Sequence, residues 1–148
     1  MGMEPPSGHR KTDGRIRILV VEDDAEMRAL LADVLSDEGY AVEEAPDGAE
    51  ALILLRTESF AAIVLDKNMP GLSGLDLLPG FRTICPEAPV ILITAFGDVS
   101  ACMDAMEKGA FEFIYKPFRM EELLRTLRRA LASGTQAPSP PSSPRGIS

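Results

Sequence analysis

Short apolar runs alternate along most of the chain with segments whose apolar residues recur every three or four positions. Ile16 to Val21 is a run of the first kind and reads as a strand. Met27, Leu30, Leu31, Val34 and Leu35 then follow at i, i+3, i+4, i+7 and i+8. That spacing places them on one face of a helix, and Gly39 is positioned to end it. Tyr40 to Ala45 is a weaker strand that carries Glu43 and Glu44, which suits a sheet edge. Asp47-Gly48-Ala49-Glu50 has capping-box spacing and opens a second helix to about Thr57. Phe60 to Leu65 is apolar throughout, the signature of a strand buried on both faces. A third helix begins near Ser73. Val90 to Ala95, introduced by Pro89, is a fourth strand, and Asp98 caps a fourth helix whose expected inner face is Val99, Cys102, Met103 and Met106, ending at Gly109. Phe111 to Tyr115 is a fifth strand, stopped by Lys116-Pro117. Leu123, Leu124, Leu127 and Leu131 line the last helix.

Regular alternation of strand and helix points to a parallel sheet with helices on both faces and right-handed crossovers. The expected fold is α/β: a flavodoxin-like (βα)5 three-layer sandwich with strand order 2-1-3-4-5. One stretch conflicts with this pattern. Pro79-Gly80 falls inside the third helix, where a proline costs roughly 3 kcal/mol, so a kink or break is expected around Leu78 to Gly80. Residues 1–15 are polar and rich in Pro, Gly and charge, and read as a flexible N-terminal arm. Residues 16–132 form the folded unit, and 133–148 read as a Pro/Ser-rich disordered tail or linker.

Composition narrows the classes of function. The chain has 148 residues and a formal net charge of −8. That balance argues against direct nucleic-acid binding through electrostatics. No apolar run is long enough to span a bilayer, and the first residues lack the apolar core of a secretory signal. Two cysteines, Cys85 and Cys102, make neither a disulfide framework nor a zinc site. Together these features suit a cytoplasmic protein without a membrane partner.

The candidate chemistry follows the strands. Glu22, Asp23 and Asp24 come after the first, Asp66 after the third, Thr94 at the end of the fourth and Lys116 after the fifth. Each has an ordinary explanation alone: a helix cap for Asp24, a turn for Asp66, a strand residue for Thr94, a surface lysine for Lys116. In the expected topology, however, all of them meet at the carboxyl rim of the sheet, where open α/β folds bind ligands. Carboxylates gathered there repel unless one is protonated or a cation joins them. Oxygen ligands without a soft partner favour a hard cation such as Mg2+. A carboxylate can attack phosphorus, and a hydroxyl and an ammonium can share the charge of a transferring phosphoryl group.

Four stretches, each after an expected strand, resemble the receiver domain of two-component response regulators: ILVVEDD at Ile18 to Asp24, LDKNMPGLSGLDLL at Leu65 to Leu78, VILITAFGD at Val90 to Asp98, and GAFEFIYKPF at Gly109 to Phe118. The last two look most like receivers of the nitrogen-regulatory type. The resemblance implies that Asp66 is the phosphoacceptor. Mg2+ would be held by Glu22, Asp23, Asp66 and the backbone carbonyl of Asn68. Thr94 and Lys116 would contact the phosphoryl group, Phe113 takes the aromatic switch position beside Thr94, and the Lys116-Pro117 peptide is cis. It also implies a sensor histidine kinase as partner and a downstream protein partner or output domain, with dimerisation through the fourth and fifth helices left open. The chain departs from the family at Arg119, where an acid usually caps the last helix, and at Pro79-Gly80.

Other readings stay in view. A Mg2+-dependent phosphohydrolase resembling the haloacid dehalogenase group would carry an acid two residues after its nucleophile, where this chain has Asn68. A degenerate receiver could serve only for docking, which the complete set of acids, Thr94 and Lys116 argues against. The output is a single-domain regulator acting by contact, or a receiver cut from a longer transcriptional regulator at its Pro/Ser linker.

Overall fold

The computed structural model describes residues 14–69 and 73–134. Its elements alternate throughout: β1 (Arg17–Val21), α1 (Ala25–Asp37), β2 (Ala41–Ala45), α2 (Gly48–Thr57), β3 (Ala62–Asp66), α3 (Gly74–Ile84), β4 (Val90–Ala95), α4 (Val99–Glu107), β5 (Glu112–Lys116) and α5 (Met120–Gly134). The strands form one parallel sheet in the order β2-β1-β3-β4-β5, the expected flavodoxin-like arrangement. Apart from their innermost residues, the expected arm and tail lie outside the described residues. Among those described, no helix is long and apolar enough to cross a membrane.

Alternation along each strand divides the core in two. Leu19, Val21, Ile63, Leu65 and Leu92 face α2, α3 and α4, where Leu55, Leu77, Leu78, Phe81 and Ala105 meet them. Ile18, Val20, Val64, Ile91 and Ile93 face α1 and α5, packing on Leu31, Leu35, Leu123 and Leu127. The strands are covered on both sides, which explains why β1, β3 and β4 read as near-continuous apolar runs while the edge strand β2 carries Glu43 and Glu44.

Helix ends follow sequence chemistry closely. Asp24 caps α1, its side chain accepting from the Glu26 and Met27 amides. Gly39 and Gly109 follow α1 and α4 with φ of 100° and 103°, a left-handed conformation that glycine adopts without Cβ strain. Asp47 caps α2 by accepting from the Glu50 amide. The reciprocal capping box lies one helix later, between Ser73 and Asp76. Arg119 immediately precedes α5, and Glu121 and Glu122 supply acid in its first turn, which offsets the unfavourable cation.

Two expectations fail. Of the kink or break expected at Pro79-Gly80, the break does not occur: α3 is one helix from Gly74 to Ile84 with Pro79 inside it. Pro79 and Gly80 lie on its exposed side, where water can bond the carbonyl that loses its donor. Leu78 and Phe81 on either side are fully buried. Burying two such side chains is worth about 1.5–3 kcal/mol each, enough to outweigh a proline. The second failure is the inner face of α4. Only Cys102 of the expected four is buried, together with Ala101 and Ala105; Val99, Met103 and Met106 are exposed. Small residues seat this helix close to the sheet, and its larger apolar residues turn outward.

Candidate phosphoacceptor site

Three carboxylates converge at the carboxyl rim. Glu22 is the first residue beyond β1, fixed by its amide donating to the Ala45 carbonyl at 3.0 Å. Asp66 closes β3. Each is only 2% exposed, whereas Asp23 is open to solvent. Oxygens of Glu22, Asp23 and Asp66 all lie within 4.8 Å of one another. Lys116 reaches over from the end of β5, its Nζ 3.3 Å from Asp66 Oδ1 and 4.0 Å from Glu22 Oε1.

The electrostatics of this cluster are unbalanced. Burial pushes the Glu22 carboxyl up to about 7, and its neighbour Asp66 pushes the same way, while the Asp24 amide and Lys116 oppose them. The Asp24 N–H donates to Glu22 Oε2 at 3.1 Å. Glu22 Oε1 is buried without a hydrogen-bond partner. A buried carboxylate oxygen lacking a donor is costly, and a hard cation is one way to satisfy it. Oxygen donors from three carboxylates suit Mg2+. Arg28 steadies the loop by donating to the Glu22 carbonyl at 2.8 Å and pairing with Glu44 at 3.4 Å.

The loop after Asp66 is equally constrained. The Asn68 amide donates to Asp66 Oδ1 at 3.3 Å, and the Lys67 amide donates to the Ile93 carbonyl at 2.8 Å. The start of α3 sits directly on this backbone. Gly74 donates to the Lys67 carbonyl at 2.7 Å, and a Cβ on Gly74 would stand 2.7 Å from the Asp66 carbonyl oxygen, so only glycine fits.

Glu22, Asp23, Asp66 and Lys116 are therefore brought together as expected. Asn68 is exposed, with its amide on the Asp66 carboxylate. Thr94 is fully buried at the end of β4, but its hydroxyl donates to Asp98 Oδ2 at 3.5 Å. Phe113 is half-buried against the core facing α2, α3 and α4, its ring 5.6 Å from that of Tyr115, which in turn meets Phe96 at 5.5 Å. The Lys116-Pro117 peptide is cis. Cys85 and Cys102 are buried free thiols; burial pushes Cys85 up to about 11 and keeps it inert. The sequence reading missed Arg28, Gly74 and an ion pair between Lys67 Nζ and Asp98 Oδ2 at 2.8 Å. Lys67 directly follows Asp66 and Asp98 stands four residues after Thr94, but nothing in that spacing says the two side chains meet.

A flavodoxin-like domain with buried acids and a lysine at the carboxyl rim is an α/β module that gathers charge at one end of its sheet. Comparison with known proteins makes this specific. Residues 18–128 match the response regulator receiver domain family, and the chain belongs to that family. It is 41% identical over 129 residues to the response regulator MprA of Mycobacterium sp. (strain KMS), covering 87% of this chain and 56% of that protein. It is 37% identical over 126 residues to the transcriptional regulatory protein TcrA of Mycobacterium tuberculosis, covering 85% and 49%. The chain thus spans about half the length of the curated relatives it matches. Among solved structures, the receiver domain of NtrX from Brucella abortus superposes with a TM-score of 0.75 at 36% identity, covering 78% of this chain and 98% of that one. A CheY-like receiver domain protein from Methanospirillum hungatei JF-1 gives 0.77 at 28% identity, covering 80% and 95%.

Proposed function

We propose that Asp66 accepts a phosphoryl group from the phosphohistidine of a sensor kinase and that the modified domain then signals to an output domain or partner. The observation that carries this is the placement of Asp66: buried at the end of β3, within 4.8 Å of two other carboxylates and 3.3 Å from Lys116 Nζ. An Asp66 Oδ attacks phosphorus, the P–N bond breaks, and the electron pair leaves with the imidazole. Glu22, Asp23, Asp66 and the Asn68 backbone carbonyl would hold Mg2+. Bound there, the ion neutralises charge on the phosphoryl oxygens. Lys116, its Nζ 3.3 Å from Asp66 Oδ1, would stabilise the same charge. The Thr94 hydroxyl then donates to a phosphoryl oxygen, and the space it leaves beside β5 is available to Phe113, which alters the α4–β5–α5 surface. This is a shift between two packings biased by local charge.

The chain spans about half the length of MprA and TcrA, which supports an output domain as one source of the response; TcrA is named a transcriptional regulatory protein, so transcriptional control is one form the response would take. A phosphohydrolase is disfavoured because Asn68, two residues past Asp66, is an amide that cannot act as a general acid or base.

The test is labelling with acetyl phosphate and Mg2+, read as the mass of the intact protein. The parent gains one phosphoryl group and Asp66→Asn gains none. Equal labelling of both proteins sinks the assignment.

A further inference from the structure

The carboxylate that holds Thr94 in this structure is itself held. Thr94 is fully buried, so its hydroxyl cannot turn to water, and its hydrogen goes to Asp98 Oδ2 at 3.5 Å. Asp98 Oδ2 also accepts from Lys67 Nζ at 2.8 Å, while Oδ1 accepts the Ala101 amide at 3.2 Å to cap α4. Lys67 is the residue next to Asp66, and its backbone is pinned by the Ile93 and Gly74 bonds. The ion pair therefore crosses from the loop after the acceptor strand to the loop that carries Thr94, between residues 31 apart in sequence. Asp98 is held below the usual carboxylate range, first by Lys67 and then by the Ala101 amide, so it is an anion and a strong acceptor at neutral pH.

We propose that Lys67 and Asp98 are a positioning pair: together they hold the Thr94 hydroxyl away from Asp66 and set the fraction of molecules in which it can reach a phosphoryl group. This rests on Asp66 being the acceptor. A phosphoryl dianion on Asp66 would appear one residue from Lys67 and compete with Asp98 for its ammonium. Loosening the ion pair weakens the hold on Asp98, and Thr94 is then free to exchange one anionic acceptor for the other. The same exchange disturbs the side chain that caps α4, so the event at Asp66 reaches that helix through a specific group. Affinity for the phosphoryl state falls in proportion to the competent fraction. A partly exposed ion pair is a weak hold. Releasing it therefore changes the competent fraction by about two- to five-fold.

The experiment compares the parent with Asp98→Ser, which keeps a helix cap but is too short to bridge Lys67 and Thr94, each with and without Thr94→Val. Lys67→Met is a second variant that leaves the cap untouched. Two readouts separate this inference from the acceptor assignment. The first is the methyl resonance of Thr94 in unphosphorylated protein, which should move in Asp98→Ser and in Lys67→Met. The second is the rate of labelling by acetyl phosphate with Mg2+. It should rise about two- to five-fold in Asp98→Ser, with no rise in the Thr94→Val background. An unmoved Thr94 resonance, or a rise of equal size in the Thr94→Val background, overturns the positioning role while leaving Asp66 as acceptor. A parent that takes no label overturns the acceptor assignment and this inference with it.

Discussion

The two ends of the sheet both bury charge, and they do so in opposite ways. At the amino end, Arg17 is nearly buried, yet its guanidinium lies over the Phe60 ring at 4.8 Å from the centroid, pairs with Glu58, and sits 3.7 Å from Glu43. Both carboxylates remain about one-third exposed, so they keep much of their hydration while neutralising the cation. At the carboxyl end, Glu22 and Asp66 are buried, Asp23 lies beside them, and Lys116 is the ion-pair partner of the buried two. In the first arrangement two carboxylates that stay hydrated meet one nearly buried cation, and β1 is tied to β2 and to the end of α2, although Arg17 Nε is itself buried without an acceptor. The second buries the anions themselves, Glu22 and Asp66, and leaves Glu22 Oε1 without a donor. A charge cluster whose anions keep their water holds a fold together, whereas one whose anions are buried is available to bind an ion or an incoming group.

Removing charge from the two ends should therefore have opposite signs. The largest effect belongs to Arg17. Arg17→Ala removes an ion pair and a cation stacked on an aromatic ring, and should destabilise the domain by about 2–3 kcal/mol. Urea unfolding should show a lower midpoint at unchanged slope. Labelling of Asp66 by acetyl phosphate should be unaffected well below the transition. A stability change within about 0.5 kcal/mol of zero, the range of ordinary surface substitutions, would remove the contrast between the two ends.

That contrast also shows how far sequence reasoning reaches. The carboxyl rim was legible because each of its groups follows a strand, and strand ends in a parallel sheet share one edge; Glu22, Asp23, Asp66 and Lys116 were placed by topology alone. Arg17 was not, since a lone cation in an apolar run says nothing about Glu43 on β2 or Glu58 beyond α2, which meet it only once three elements are packed. Lys67 and Asp98 were hidden for the same reason, as they lie on different loops. The outward turn of Val99, Met103 and Met106 was misjudged because periodicity marks an apolar face without saying whether small residues on another face will pack closer. At α3, a local rule about proline was overridden by burial of Leu78 and Phe81 on either side.

The next effect is a pH dependence confined to the carboxyl end. The Glu22 carboxyl titrates at about 7 in the folded protein against an ordinary value of 4.5. Between those values the folded state holds a proton that the unfolded state has released. The metal-free protein therefore loses stability as pH rises through this window and levels off above it. The loss should be on the order of 2 kcal/mol between pH 5 and 8. Urea titrations of the parent minus Glu22→Gln isolate it. Millimolar Mg2+ should flatten the dependence, because a cation in the cluster favours the ionised carboxyl. A parent and Glu22→Gln with parallel stability profiles would mean that Glu22 is not the strained group.

The smallest effect is the most discriminating. If the carboxyl rim is over-supplied with negative charge, then Asp66→Asn removes repulsion against Glu22 and leaves an amide that can still bond its neighbours. In the absence of Mg2+ this variant should be more stable than the parent, by about 1 kcal/mol. The gain should fall short of the full relief because Lys116 loses its partner at 3.3 Å. Adding Mg2+ should then favour the parent, which keeps all three carboxylates, and narrow or reverse the difference. Urea midpoints of the two proteins with and without the ion test both halves. A variant less stable than the parent in the absence of Mg2+ would mean that Lys116 alone balances the cluster, and the two ends of the sheet would then differ in position but not in kind.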